Sequence, residues 1–257
     1  MTARESIIET KNLTKYFGGL AAVDDVSLTI EAGTLHAIIG PNGAGKTTFF
    51  NLLSGNLKPT SGKVFYKGQD LTSTPIHRMI HIGIGRSFQI TNIFPNLTVH
   101  ENIRLASQVM EDKNFRIMME TAQMHSVEKR TEEVVEKVGL TSQAYLPARM
   151  LSHGDQRKLE LGMILAPDPE VLLLDEPTAG MATDQVPELI TLIQEVQESG
   201  SKTVVLVEHN MNVVMKVSDR ISVMHQGKVL AEGTPTEIAA NHEVQTAYLG
   251  GLYDLNN

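Results

Sequence analysis

The 257 residues carry 22 Lys and Arg against 30 Asp and Glu, a formal net charge of -8 and the wrong sign for a grip on nucleic-acid phosphates, so no nucleic-acid partner is expected. Cysteine is absent, which excludes a disulfide scaffold, a thiolate metal site and a cysteine nucleophile. Hydrophobic residues at 41% and charged residues at 20% predict a packed globular chain, no apolar run nears the roughly 20 residues that span a bilayer, and the start, Met1 to Lys11, is too polar for a signal peptide.

Val26, Leu28 and Ile30 alternate with Ser27 and Thr29, the period of a half-buried strand, and Ala32-Gly33 follows as a turn. Leu35 to Ile39 is predicted as a buried strand that runs straight into Gly40. Thr47 to Gly55 has helical spacing, with Gly55 as its stop. Lys63 to Lys67 predicts a short strand closed by Gly68, and Pro75 opens a helical stretch toward Ile82. From Leu97 to about Leu165 the chain becomes mainly helical, with apolar periodicity over Val99 to Val109, Phe115 to Met124 and Val127 to Val138. Met110, Met118, Met119 and Met124 in this stretch read as adaptable core or contact surface. Pro167 and Pro169 end the next helix. Val171 to Leu174 and Thr203 to Val207 are the uninterrupted apolar runs of buried parallel strands. Ile221 to Met224 and Lys228 to Ala231 flank His225-Gln226-Gly227 as a hairpin, and a helical tail is predicted from Pro235 to Leu249.

Gly40-Pro41-Asn42-Gly43-Ala44-Gly45-Lys46-Thr47 is a phosphate-binding loop pattern placed between a predicted strand and a predicted helix, as its mechanism requires. Glycines let backbone N–H groups approach phosphate oxygens and the helix N-terminus adds partial positive charge. Lys46 neutralises the β and γ phosphates, and Thr47 is a ligand for Mg²⁺. With Thr48 on the first helical turn, the nucleotide-contacting set runs from Gly40 to Thr48. Asp175 and Glu176 follow the strand Leu172-Leu173-Leu174, where the open edge of a parallel sheet places ligand-facing groups. This suggests a division of labour: Asp175 holds Mg²⁺, directly or through water, and Glu176 polarises the water that attacks the γ-phosphate. His209 leaves the next strand at the same edge, within reach of the γ-phosphate or that water. Gln89 begins a loop after Phe88, and its neutral amide suits both the metal shell and the lytic water.

Leu151-Ser152-His153-Gly154-Asp155-Gln156-Arg157, ahead of a helix and upstream of Asp175, is similar to the signature segment of ABC transporter ATPases. The chain resembles the nucleotide-binding subunits of that family over nearly its whole length. The resemblance implies an α/β fold, a RecA-like P-loop NTPase core with a small antiparallel β subdomain and an inserted α-helical subdomain. Residues 1–88 and 166–257 would form the core and about 89–165 the helical insert. It implies ATP and Mg²⁺ as cofactors and ATP hydrolysis coupled to transport. Two cassettes would sandwich two ATP molecules head to tail, with Ser152, His153, Gly154, Asp155 and the following helix N-terminus of one subunit facing the γ-phosphate on the other. Phe17 would stack on adenine, with Tyr16 as the alternative, and Gln89 and His209 align with the family's glutamine and switch-histidine loops. Three positions depart from the common pattern: His153 for Gly, Asp155 for Gln, and Ala182 for Asp after Glu176.

A cassette of this kind works on separate transmembrane permease subunits and, through them, a substrate-binding protein, from the cytoplasmic face of the plasma (inner) membrane. Phe88 to Asn102 and the Met-bearing stretch beyond it would receive the permease. Four segments resemble the ATPases of branched-chain amino-acid importers: Phe17-Gly18-Gly19-Leu20-Ala21-Ala22-Val23, Gly85-Arg86-Ser87-Phe88-Gln89, Thr98-Val99-His100-Glu101-Asn102 and Val244-Gln245-Thr246-Ala247-Tyr248-Leu249-Gly250. Urea or short-amide import, lipopolysaccharide export and a non-transport ATP switch remain the alternatives.

Overall fold

The computed structural model describes residues 5–87, 93–110, 121–200 and 202–249. Two sheets organise the chain. The first is antiparallel, in the order β2-β1-β4-β5, from β1 (Ser6–Phe17), β2 (Leu20–Glu31), β4 (Ser61–Tyr66) and β5 (Gln69–Asp70). Along β2, Val23, Val26, Leu28 and Ile30 are buried and Ser27 and Thr29 exposed, as their alternation predicts. The partner strand β1 was not among the predicted elements because its period breaks. Asn12 takes a left-handed backbone (φ 49°) opposite Asp25 (φ 56°), the register shifts between Thr10 and Leu13, and Asn12 Nδ2 donates to Asp25 Oδ1 at 2.8 Å.

The second sheet runs β10-β9-β3-β8-β7-β6. Here β3 (Leu35–Ile39) is parallel to β8 (Thr203–Val207) and β9 (Arg220–His225), and β7 (Val171–Asp175) is parallel to β8 and β6 (Ile84–Arg86). The edge strand β10 (Lys228–Gly233) closes the predicted hairpin with β9. Every residue of β3, β7 and β8 is buried, because both faces of the sheet are covered. Alternate residues therefore serve different cores. Leu172, Leu174, Val204 and Leu206 pack with the helical insert, whereas Leu173, Val205 and Val207 pack with α1 (Lys46–Leu53) and the first sheet. Phe49 and Phe50 of α1 fill the space between the sheets; burying such a side chain fully contributes roughly 2–3 kcal/mol.

The described stretch between β6 and β7 is mostly helical, with turns and 3₁₀ segments over 138–152. It contains α3 (Val99–Ser107), α4 (Thr121–Lys137) and α5 (His153–Leu165), and their apolar faces join α6 (Val186–Gly200) in one core with the sheet. Residues 115–120 of the predicted Phe115 to Met124 helix, with Met118 and Met119, lie outside the described residues. A reciprocal cap starts α3: Thr98 Oγ1 accepts from Glu101 N at 3.1 Å, and Glu101 Oε2 accepts from Thr98 N at 2.8 Å. Two helices were not predicted, α6 and α7 (Met211–Val217). The tail is not one helix. It divides into α8 (Pro235–Ala240), α9 (His242–Val244) and a π-helical turn (Gln245–Leu249), since Asn241 leaves the helical conformation and its Oδ1 accepts from Glu243 N and Val244 N.

One buried amide fixes the path into the insert. Asn102 is fully buried on α3; its Oδ1 accepts from Phe94 N at 2.7 Å, and its Nδ2 donates to Phe94 O at 3.1 Å and Thr98 O at 2.8 Å. Asn102→Ala takes the acceptor from Phe94 N, while Phe94 O and Thr98 O keep Leu97 N and Asn102 N, and urea unfolding should show a loss of about 2 kcal/mol. Asn96→Ala, which removes only an exposed contact with Arg149, should change stability by less than about 0.5 kcal/mol.

Candidate functional site

Strands β3, β7, β8 and β6 all end at one edge of the sheet, and the predicted chemical groups emerge there. The loop after β3 is held by close backbone approach. A Cβ at Gly40 would lie 2.1 Å from Met224 O, and one at Gly45 (φ +99°) 2.2 Å from Ala22 O, so neither position admits a side chain. The hairpin turn buttresses the loop from behind: Gly227 N donates to Ala44 O at 3.0 Å, and Asp24 N donates to Gly227 O at 2.8 Å. Asn42 and Gly43 are exposed at the tip, while Thr47 and Thr48 are half-buried on the first turn of α1, which carries no acidic residue. That end of the helix therefore presents uncompensated N–H groups and partial positive charge.

Lys46 is only 5% exposed and folds back over the loop, donating to Gly40 O at 2.7 Å and Pro41 O at 3.0 Å. Burial pulls its pKa down, and the charges of Glu176 and Asp175 oppose that shift. Asp175, 3% exposed at the end of β7, has both carboxylate oxygens buried with no hydrogen-bond partner among the described residues. Burial, reinforced by the neighbouring charge of Glu176, raises its pKa to about 6 against the opposing pull of Arg86, His209 and Lys46. Two buried acceptors without donors suit a hard cation. Among the described residues no cluster of three or more His, Cys, Asp or Glu could hold a metal by itself.

Glu176 takes a left-handed backbone (φ 49°), which turns the chain sharply away from the sheet while Glu176 N still donates to Val207 O at 2.8 Å. Glu176 Oε1 lies 2.7 Å from His209 Nε2, so the two predicted residues form a pair across the ends of β7 and β8. Three supporting residues were not predicted. Ser87 Oγ accepts from Asp175 N at 2.8 Å; Arg86, stacked over Phe50 and bonded to Asn51 and Ser54, lends positive charge to Asp175; and Glu208 accepts from His209 N at 3.0 Å. Their one sequence signal is position: each lies within the last strand residue or the residue after it on a strand reaching this edge.

Ser152 caps α5. Its Oγ accepts from Asp155 N at 3.1 Å and donates to Asp155 Oδ2 at 2.8 Å, and Lys158 joins Asp155 to Glu188. His153 lies against Gly180 and Gly154 against Gln185, so the segment packs on the loop that follows Glu176. Within one chain the structure brings Lys46, Asp175, Glu176 and His209 together, but no hydrogen bond of Ser152 or Asp155 reaches the phosphate loop. Tyr16 and Phe17 are exposed at the end of β1, with Lys15 over the Phe17 ring. Gln89 lies outside the described residues.

Residues 23–179 match the ABC transporter family. The chain belongs to that family. It is accordingly an ATP-binding cassette ATPase. Residues 228–254 match a second family, the branched-chain amino acid ATP-binding cassette transporter. The chain is 38% identical over 251 residues to the high-affinity branched-chain amino acid transport ATP-binding protein LivG of Escherichia coli K12, covering 96% of this chain and 98% of that one. It is 32% identical over 243 residues to the lipopolysaccharide export system ATP-binding protein LptB of the same organism, covering 95% and 97%. Among solved structures, a dimeric post-hydrolysis state of the cassette MJ0796 bound to ADP and Pi superposes with a TM-score of 0.75 at 29% identity, over 89% of this chain and 99% of that one.

The raised pKa of Asp175 has a consequence for the nucleotide-free ATPase. Its carboxyl is easier to bury protonated, so ionisation destabilises the fold above about pH 6 and has no such cost below the unfolded value of 3.8. Moving from 3.8 to about 6 corresponds to about 3 kcal/mol. Asp175→Asn should therefore raise the unfolding temperature of the nucleotide-free protein at pH 7.5, with the gain shrinking toward zero as pH falls to 4.

Proposed function

We propose that this ATPase is one half of a head-to-tail pair of cassettes that hydrolyses ATP to drive import of branched-chain amino acids through a separate permease. The observation that carries the catalytic reading is the Glu176–His209 pair beside the carboxylate of Asp175, which has no donor among the described residues, and the Gly40–Thr48 cradle. ATP places its phosphates against the N–H groups of the loop and of α1, and Lys46 exchanges the Gly40 and Pro41 carbonyls for β- and γ-phosphate oxygens. Thr47, Asp175 and Gln89 would hold Mg²⁺, which when bound offsets the charge building on those oxygens. Glu176 accepts the proton of the attacking water, and His209 Nε2, donating to its carboxylate, orients that group. Phe17, or Tyr16, supplies the adenine platform. Ser152, Gly154 and the start of α5 are left for the γ-phosphate on a second cassette, with His153 and Asp155 beside them.

Import of branched-chain amino acids is supported by the C-terminal family match over residues 228–254 and by the near full-length similarity to LivG. Among the described residues no helix is long and apolar enough to cross a membrane, in keeping with a peripheral subunit on the cytoplasmic face. A cleft of about 470 Å³ between the core and the helical insert, lined by Ile76, Met79, Ile80, Val109, Met163 and Ile164 among others, is an apolar receptor suited to a short permease helix.

Glu176→Gln should lower steady-state hydrolysis at least 100-fold, in line with the ~10²–10⁴ contributed by a general base, while ATP traps a dimer visible by size-exclusion chromatography. Undiminished turnover in that variant would overturn the assignment. Complexes isolated from native membranes in mild detergent should contain a permease and an amino-acid-binding protein, and a lipid exporter there would displace the import reading. Val109→Asp, on the exposed rim of the cleft, should abolish copurification with the permease yet keep the ATPase rate of the isolated chain within two-fold.

A further inference from the structure

Glu208 is a carboxylate only 3% exposed, just after β8, and among the described residues none of its hydrogen bonds comes from a cation. Its oxygens divide their work between two loops. Oε1 accepts from Thr178 N at 3.1 Å and from Thr178 Oγ1 at 2.5 Å, in the turn two residues beyond Glu176. Oε2 accepts from His209 N at 3.0 Å and, at 3.5 Å, from Asn210 N. A buried negative charge close to Asp175 and Glu176 is an unfavourable choice for packing alone, and burial without a counter-ion is tolerated only where donors surround the group. What the carboxylate offers that no neutral side chain of this size does is two acceptor oxygens at once, one for each loop.

The two loops bear the two partners of the reacting pair. Glu176 stands in a left-handed conformation that its own residue type disfavours, so its orientation depends on what anchors the turn that follows. Thr178 is that anchor, and Glu208 is what it is anchored to. The same carboxylate fixes the peptide of His209, whose Nε2 closes on Glu176 Oε1 at 2.7 Å. We infer that Glu208 is a positioning residue for hydrolysis: by bridging Thr178 to the main chain of His209 it sets the Glu176–His209 geometry seen by the attacking water. This rests on Glu176 being the general base.

Glu208→Gln keeps the shape of the side chain but turns an amide donor toward one of the two sets of N–H groups. In the full-length chain its kcat should fall 10- to 100-fold, with KM for ATP within about two-fold. On a Glu176→Gln background it should still permit the ATP-trapped dimer, since binding and closure do not use the bridge. Thr178→Val should lower kcat in the same sense, Thr178→Ser should restore it, and the Thr178→Val/Glu208→Gln double variant should be no slower than Glu208→Gln alone. Unchanged kcat in Glu208→Gln, or effects that multiply in the double variant, would overturn the inference. Should Glu208→Gln fail to fold, the Thr178 pair decides by itself: equal rates in Val and Ser variants overturn the bridge. Failure of the underlying reading shows separately, as full turnover in Glu176→Gln; a dead Glu176→Gln with a fully active Glu208→Gln removes only the positioning role.

Discussion

Parallel pairing of β3, β8 and β7 in near-common register is the constraint on which the site depends. Ile38 stands beside Val207, and Val207 beside Asp175, so the three strands run out of ladder at the same level and their next residues leave at one edge. Gly40, Glu176 and His209 are far apart in the chain, yet none needs a long loop to meet the others. Both covers of the sheet are met by the apolar residues that make up most of these strands.

Charge at that edge is balanced only in part. Lys46 and Arg86 oppose Asp175 and Glu176, but Lys46 is turned toward loop carbonyls and the Asp175 oxygens find no donor among the described residues. The nucleotide-free fold thus stores unfavourable electrostatics at the place where a triphosphate and its cation would relieve it. The overall charge of -8 does not conflict with binding an anion, since the groups that meet phosphate are local: one ammonium, backbone N–H groups and a helix N-terminus.

Elements with an intact period could be read from the residues alone. Val26 to Ile30, the buried runs of β3, β7 and β8, and the β9–β10 hairpin all stand where their patterns place them. β1 could not, since the Asn12 bulge breaks its alternation, and the tail was overextended because an Asn within a helical pattern can keep the pattern and still cap a new helix. The phosphate loop, Asp175, Glu176 and His209 carry chemistry in their own side chains and were visible. Arg86, Ser87 and Glu208 act through residues distant in sequence, and only the sheet reveals those partners.

The bond from Gly227 N to Ala44 O has a bearing on biogenesis. The loop that cradles phosphate is encoded near the beginning of the chain, whereas the turn that supports it is encoded near the other end, beyond the helical stretch and four strands of the second sheet. A nascent chain that has just emitted its glycine loop from the ribosome therefore lacks the backing that gives the loop its shape. The backing of the loop is complete only after β9 and β10 have been synthesised and β9 has joined β3.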